Sequence, residues 1–192
     1  MNDETKALVT IMRHRDLLRA NVQRMTQELE RRALLHDLSK LQLDEAEGFV
    51  RINRIAREHA YGSPEYTASV DAEKGPAGCI GLHYSRNSHH PEFHARVYWE
   101  CCGCFRQTPE EPKESCPVCG YGFAQRRSDV SRMGFLDIIE MVLDWKAAAD
   151  GYGNCTLRAG LDRQRQQHDW RPEQWWLIEQ VVEFIEPAGG AR

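Results

Sequence analysis

Two pairs of cysteines within a window of 19 residues constrain the fold of this 192-residue chain more than any other feature. The four candidate ligands are Cys101, Cys104, Cys116 and Cys119, and eleven residues separate the middle two. Four thiolates at this spacing can close a tetrahedral zinc site, which is commonly structural. The pattern predicts a small zinc-stapled insert at residues 96–127, built of turns and short strands, with Cys102 as a spare thiol.

Cysteine usage indicates metal ligation in a reducing compartment. The two remaining cysteines, Cys79 and Cys155, stand alone, and an odd, clustered set fits metal binding better than a disulfide framework. A rubredoxin-like iron site is an alternative, since a four-thiolate cage also accepts iron. The first residues lack a signal-peptide layout, and no run approaches the ~20 apolar residues of a membrane helix. We therefore expect a cytoplasmic protein without a membrane partner.

The charge balance argues against nucleic acid as a partner. The net charge of the chain is −4, and residues 96–127 carry five Lys or Arg against four Asp or Glu. A broad nucleic-acid footprint needs a basic patch. A docking or homo-oligomer role for the insert is at least as well supported.

Outside the cysteine window the chain is predicted to be mainly α-helical. Residues 4–33 lack glycine and proline, and apolar residues recur there at three- and four-residue spacing, which predicts a long helix with an inward stripe. That stripe consists of Ile11, His14, Leu18, Val22, Met25 and Leu29. The other predicted elements are a helix carrying His36 and Asp37, helices at about 45–60 (capped by Asp44), 77–87, 132–149 (capped by Ser131) and 172–186, a turn from Tyr61 to Tyr66, and a connector from Arg158 to Arg171.

A second candidate metal site begins at the adjacent pair His36-Asp37. An imidazole and a carboxylate side by side can hold the same divalent ion. If the helix carrying this pair packs antiparallel on the first helix, His14 converges on the same place. Lys40, three residues after the aspartate, can then meet an anionic oxygen beside the ion.

Three histidines within eight residues offer further ligands, namely His83, His89 and His90. His83, Asn87 and His90 share a face if their helix continues to His90. A helix break at Ser88 would turn His89 inward instead. The sequence leaves open which of His89 and His90 is the ligand.

Two carboxylates, Asp137 and Asp144, lie on one face of the apolar helix predicted at 132–149. A helix this apolar is largely buried, and a buried carboxylate needs a partner or a metal. Asp144 is favoured as a ligand because it lies deeper in the apolar run. Asp137 is close to the helix start, where an acid can interact with the helix dipole instead.

The order of these residues resembles the HD-domain superfamily of metal-dependent phosphohydrolases. His14, the pair His36-Asp37 and a late helical aspartate follow its pattern, and the run from His36 to Lys40 is similar to its His-Asp-x-x-Lys form. The segments 83–92 and 140–145 resemble an uncharacterised HD-like family of bacteria and their phages. The resemblance covers roughly residues 5–95 and 130–150, and no substrate-specific motif of a known branch is evident.

This resemblance implies an HD-domain helical bundle formed by residues 1–95 and 128–192, with the ribbon inserted at 96–127. A first divalent ion would be held by His14, His36, Asp37 and Asp144. Asp37 would bridge to a second ion held by His83 and by His89 or His90. The implied metal is manganese, cobalt, magnesium, iron or zinc, beside the structural zinc of the cysteines.

The expected activity is hydrolysis of a nucleotide or another small phosphate ester by metal-activated water. Asp37 and Lys40 would act in catalysis, and Lys40, Arg13, Arg86 and Asn87 would contact the substrate. The alternatives are a cyclic-nucleotide phosphodiesterase, a di-iron oxygenase and a non-catalytic binding module stabilised by metal. Lys40 favours phosphate chemistry over oxygen chemistry.

Overall fold

The structure, a computed structural model, describes residues 2–59, 63–112, 114–122, 124–153 and 156–186. The chain is mainly helical, with 66% helix and 8% strand, which confirms the predicted mainly α class. Residues 1–36 form one unit and residues 37–192 form a second. Among the described helices, none has both the length and the apolar character needed to span a membrane.

The first unit is a single long helix, α1 (Asp3–Leu35), as predicted. The Asn2 side chain caps it by accepting a hydrogen bond from the Thr5 N–H at 2.8 Å. The predicted inward stripe is wrong, because no residue of α1 is buried. Its members Ile11, Leu18 and Val22 are all more than half exposed.

The predicted helix through His36 and Asp37 does not form. His36 is the cap residue at the end of α1, and Asp37 adopts a left-handed backbone with φ 57°, which ends helical propagation. A short 3-10 turn follows at Leu38–Leu41. Asp37 and Ser39 therefore lie at the start of the second unit, directly after the end of α1.

Four helices make up the first part of the second unit: α2 (Leu43–Glu58), α3 (Pro64–Ala72), α4 (Cys79–Arg86) and α5 (Pro91–His94). Gln42 is the cap residue of α2, so the predicted cap Asp44 lies in the first turn instead. Helix α3 was missed because Ser63-Pro64 was interpreted as a turn, whereas the Ser63 side chain caps a helix with proline in its first turn. Residues 61 and 62 of the predicted turn lie outside the described residues.

The cysteine window forms a three-stranded antiparallel sheet with order β2-β1-β3. This agrees with the short strands predicted there. Its strands are β1 (Arg96–Cys101), β2 (Gln107–Thr108) and β3 (Ala124–Asp129). Trp99 pairs with Thr108 on one side and with Arg126 on the other. The two loops that carry the cysteines extend from this sheet.

The larger hydrophobic core is formed by α6 (Phe135–Tyr152), α7 (Leu157–Gln167) and α8 (Pro172–Ile185). Gly134, not the predicted Ser131, is the cap residue of α6. The segment predicted as a connector from Arg158 forms helix α7 instead. Its two buried residues, Leu157 and Leu161, are four positions apart. A single pair at this spacing is a weak helical signal in the sequence. The buried core consists of Met133, Ile138, Met141, Val142, Leu157, Leu161, Ile178 and Val182.

A second, smaller core joins α2 to α4 and positions the histidine cluster. Ile52, Cys79 and Ile80 are buried there. The two helices approach closely at Gly48, where an added Cβ would lie 2.5 Å from Cys79 Cβ. This close approach sets the spacing between Glu45 on α2 and His83 on α4.

We predict that Gly48→Ala destabilises the protein by about 1–3 kcal/mol, because the new methyl group overpacks the α2–α4 contact. Urea unfolding monitored by circular dichroism measures this change. Gly160→Ala in α7 is the matched control, since no atom lies within 4 Å of its added Cβ, and helix propensity should stabilise it slightly. Equal unfolding midpoints for the two variants would contradict the close-approach argument.

Two candidate metal sites

The four predicted cysteine ligands form one cage in the second unit. Their sulfur atoms all lie within 4.8 Å of one another. Cys101 Sγ is 3.5 Å from Cys119 Sγ, and Cys104 Sγ is 3.6 Å from Cys116 Sγ. Ligands at ~2.3 Å from a tetrahedral zinc ion lie about 3.8 Å apart, so these spacings fit zinc. The predicted grouping is confirmed, and Cys102 is exposed outside it.

The two cysteine loops share one backbone shape. Phe105 and Gly120, which follow the two Cys-x-x-Cys pairs, adopt left-handed angles with φ 59° and 72°. Backbone hydrogen bonds from Cys119 and then Val118 lower the pKa of Cys116 to about 6. The thiolate is the form of cysteine that binds metal, so the backbone itself prepares this sulfur for a cation.

Four other ligand atoms converge at the predicted histidine cluster. Asp37 Oδ1 lies 3.1 Å from His83 Nε2 and 3.4 Å from His89 Nε2. His90 Nε2 lies 3.0 Å from His83 Nε2. Helix α4 ends at Arg86, so His89 and His90 leave the helix and both join the cluster. Both candidate ligands that the sequence offered as alternatives, His89 and His90, therefore belong to the cluster.

The separations within the cluster match the edges of a coordination shell. Ligands ~2.0–2.1 Å from one ion lie about 2.9 Å apart in an octahedral shell and about 3.4 Å apart in a tetrahedral shell. Three pairs of ligand atoms lie 3.0, 3.1 and 3.4 Å apart. One divalent ion therefore fits the set formed by Asp37, His83, His89 and His90.

Two carboxylates determine which nitrogen of two imidazoles faces this cluster. Glu45 is fully buried, with Oε2 3.2 Å from His83 Nδ1, and Glu140 Oε1 lies 3.4 Å from His89 Nδ1. Each carboxylate favours the ring proton on Nδ1, which leaves a lone pair on Nε2. Two lone pairs beside the Asp37 carboxylate repel one another unless a cation lies among them. The donor chemistry therefore agrees with the geometry.

A hydrogen-bond network supports Glu45 and His83 from behind. Ser39 Oγ donates to Glu45 Oε2 at 2.9 Å, and Asn87 Nδ2 donates to Ser39 Oγ at 2.8 Å. Arg86 Nη1 donates to Glu45 Oε1 at 2.7 Å. Asn87 and Arg86 were predicted to contact substrate, but their contacts here position the His83 ring. Both follow His83 by about one helical turn and so share its face.

Electrostatics hold these groups in their metal-binding forms. Burial acts to raise the pKa of Asp37, but its close contacts with His83, His89 and Lys40 outweigh burial and keep that pKa well below its usual range. Burial lowers the pKa of His90 to about 2. A carboxylate and a neutral imidazole are the protonation states that metals require.

Of the two carboxylates predicted on α6, Asp144 is the better placed. It brings an oxygen within 4.8 Å of one from Asp37. Asp137 Oδ1 instead accepts a hydrogen bond from Ser88 Oγ at 2.6 Å, and its Oδ2 lies 3.7 Å from His94 Nε2. These contacts favour Asp144 as a further ligand and give Asp137 a role in holding the loop before α5.

The proposed pairing of His14 with His36 requires a correction. His14 and Arg13 are exposed on α1, and His36 lies at the end of the same helix. His14 and His36 are 22 positions apart in the sequence, and at ~1.5 Å rise per residue they lie about 33 Å apart. They cannot hold one ion within one copy of the chain. The prediction assumed that the helix turns back before His36, and it does not.

Sequence reasoning missed three residues of the site: Ser39, Glu45 and Glu140. A signal existed for Glu140, because it lies one turn before Asp144 on a helix already recognised as apolar, where a buried carboxylate needs a partner. Glu45 gave none, since acids are common in the first turn of a helix for reasons of the dipole alone. Ser39 was noted only as part of a motif.

Comparisons with known proteins identify the family but no close relative. A family model matches residues 3–189, so the chain belongs to the family of unknown function DUF5662. No curated protein and no solved structure matches the chain.

We predict that Cys116→Ser lowers the zinc content by about one ion per chain, since removal of one thiolate opens a closed four-ligand site. The histidine cluster should keep its metal, because it shares no ligand with the cage. Elemental analysis of the purified variant measures both. Cys102→Ser is the matched control and should retain full zinc. Loss of all metal in Cys116→Ser would show that the two sites are not separable.

We also predict that Glu45→Gln weakens metal binding at the histidine cluster about 10–100-fold, because the His83 ring loses the carboxylate that orients it. Competition with a chromophoric chelator measures the affinity. Glu47→Gln, an exposed change on the same helix, should bind as the unaltered protein does. Equal affinity in the two variants would argue against a supporting role for Glu45.

Proposed function

We propose that this protein is a divalent-metal-dependent phosphohydrolase whose centre is the cluster of Asp37, His83, His89 and His90. The observation that carries the proposal is the convergence of the ligand atoms within 4.8 Å, with carboxylates behind the outer nitrogens of His83 and His89. Metal-binding histidines are typically held in this way.

The donor set narrows the choice of metal. Three imidazole nitrogens and one carboxylate oxygen suit zinc, iron, cobalt or manganese, whereas magnesium prefers oxygen ligands and water. The Asp144 carboxylate near Asp37 provides oxygen for a second ion. The proposal therefore favours a transition metal at the cluster.

The chemistry that a divalent ion supplies when bound is activation of water and polarisation of a phosphoryl oxygen. Asp37 offers Oδ1 to the cluster while its Oδ2 pairs with the Lys40 ammonium. This pairing keeps Asp37 ionised and holds a positive charge at the edge of the site. Glu45 and Glu140 keep the histidine rings oriented, so that no reorganisation is needed when substrate binds.

Lys40 supports phosphate as the substrate group. Its side chain is about a third exposed, and its Nζ lies 4.9 Å from the centroid of the Phe49 ring. A half-buried ammonium beside a metal site can meet the charge that builds on a phosphoryl group. Together with the His-Asp-x-x-Lys resemblance, this favours a nucleotide or another small phosphate ester.

The test is a hydrolysis screen of the full chain with manganese, cobalt, magnesium and zinc. The panel contains nucleoside mono-, di- and triphosphates and cyclic nucleotides, and released phosphate or nucleotide is measured. We predict that Asp37→Asn lowers the rate on any substrate found by at least about 100-fold, because the variant loses a charged ligand at the site of charge development. The cysteine cage should keep its zinc.

Asp71→Asn is the matched control, since Asp71 is exposed and forms a surface ion pair with Lys74. It should retain full activity. Two results would overturn the proposal: an Asp37→Asn variant as active as Asp71→Asn, or a metal content of about one zinc per chain with no activity under any added metal. An iron-loaded protein whose spectrum changes with oxygen would point to oxygenase chemistry instead.

A further inference from the structure

Helix α1 exposes a long apolar stripe, which we name the seam. Five of its side chains are each 51–59% exposed although they are large and apolar. No residue of α1 is buried. The stability of a helix in a protein comes mostly from packing of its apolar face, so a face of this length needs a partner. The seam consists of Leu8, Ile11, Leu18, Val22, Met25 and Leu29.

The seam has the seven-residue repeat of a coiled coil. Ile11, Leu18 and Met25 are each seven residues apart, and so are Val22 and Leu29. Alternating steps of three and four keep the apolar positions on one side of a supercoiled helix. A helix face that binds a partner other than a second helix does not require a seven-residue repeat maintained over three repeats.

We propose that α1 pairs with α1 of a second copy of this chain, as an antiparallel two-stranded coiled coil centred near residue 20. In this register Leu18 packs against Val22 of the second copy, and Ile11 packs against its Leu29. Each exposed seam residue offers roughly 100 Å² of apolar surface. Two copies together bury roughly 1,000 Å², which reaches the area of a specific interface.

Charge placement selects the antiparallel direction and the same chain as partner. Arg15 and Arg32 interrupt the repeat. In a parallel pair each would face its own copy inside the seam, and like charges in direct opposition destabilise an interface. In the antiparallel pair Arg15 faces Met25 and Arg32 faces Leu8, and the long arginine stems can cover these apolar residues.

The flanking positions agree with this register. His14 of one copy lies opposite Glu28 of the other, and the two Asn21 side chains meet at the twofold axis. Arg19 also faces its own copy, but at the water-exposed edge, where the two side chains can separate. The pairing involves α1 alone and is independent of the metal chemistry proposed above.

Sedimentation of the full chain over a concentration series tests the pairing. We expect a dimer that dissociates on dilution. Leu18→Lys should raise the dissociation constant at least about 100-fold, because the change occurs in two symmetric layers of the seam. Leu17→Lys is the matched control: Leu17 is as exposed as Leu18 but lies off the seam, and its variant should remain dimeric.

Cysteine cross-linking tests the direction. Asn21→Cys should form an additional intermolecular disulfide under mild oxidation, whereas Val22→Cys should not, because residue 21 meets its own copy in the antiparallel register and residue 22 faces Leu18 instead. The unaltered chain controls for its native thiols. A monomer at all concentrations, equal dissociation of the Leu17→Lys and Leu18→Lys variants, or cross-linking at residue 22 but not 21 would overturn the proposal.

Discussion

The contact between Glu45 and His83 is the interaction on which the second unit depends. A fully buried carboxylate is costly unless it is paired, and Glu45 is paired with the His83 ring, the Ser39 hydroxyl and the Arg86 guanidinium. These partners come from α4 and from the turn that precedes α2. The close helix approach at Gly48 brings the partners within reach. Satisfying one buried charge thus fixes the helix packing and the orientation of a candidate metal ligand together.

The two candidate metal sites use the backbone in different ways. In the cysteine cage, backbone amides act on the sulfur atoms directly, and the loop shape supplies the ligand geometry. In the histidine cluster, the backbone only brings side chains from α4 and its flanking loop to Asp37, and buried carboxylates complete the orientation. The cage is closed by four protein ligands, as structural zinc sites are, whereas the cluster combines imidazole and carboxylate with a nearby lysine.

The sequence predicted what depends on local pattern. The spacing of the four cysteines and the length of α1 were accessible because ligand spacing and helical period are properties of short segments. The grouping of Asp37 with His83 was expected only from the family resemblance. The helix break at Asp37 could not be predicted, because a left-handed residue after a long helix leaves no pattern of apolar residues in the sequence. The incorrect second helix placed His14 beside His36, although His14 lies within α1 and His36 caps its far end. Glu45 was inaccessible because its burial arises from the packing of α2 on α4.

The sequence spans of the two sites imply an order of assembly. The cysteine ligands close a loop of 19 residues between Cys101 and Cys119, whereas the histidine cluster joins residues 37 to 90 through several packed helices. Loop-closure entropy is smaller for the shorter span, and zinc ribbons gain much of their folding free energy from the metal. The ribbon can therefore become a folded unit while the chain around it is still unstructured. The ligands of the histidine cluster come together only after the helices have docked, so a metal bound there would report on completed folding.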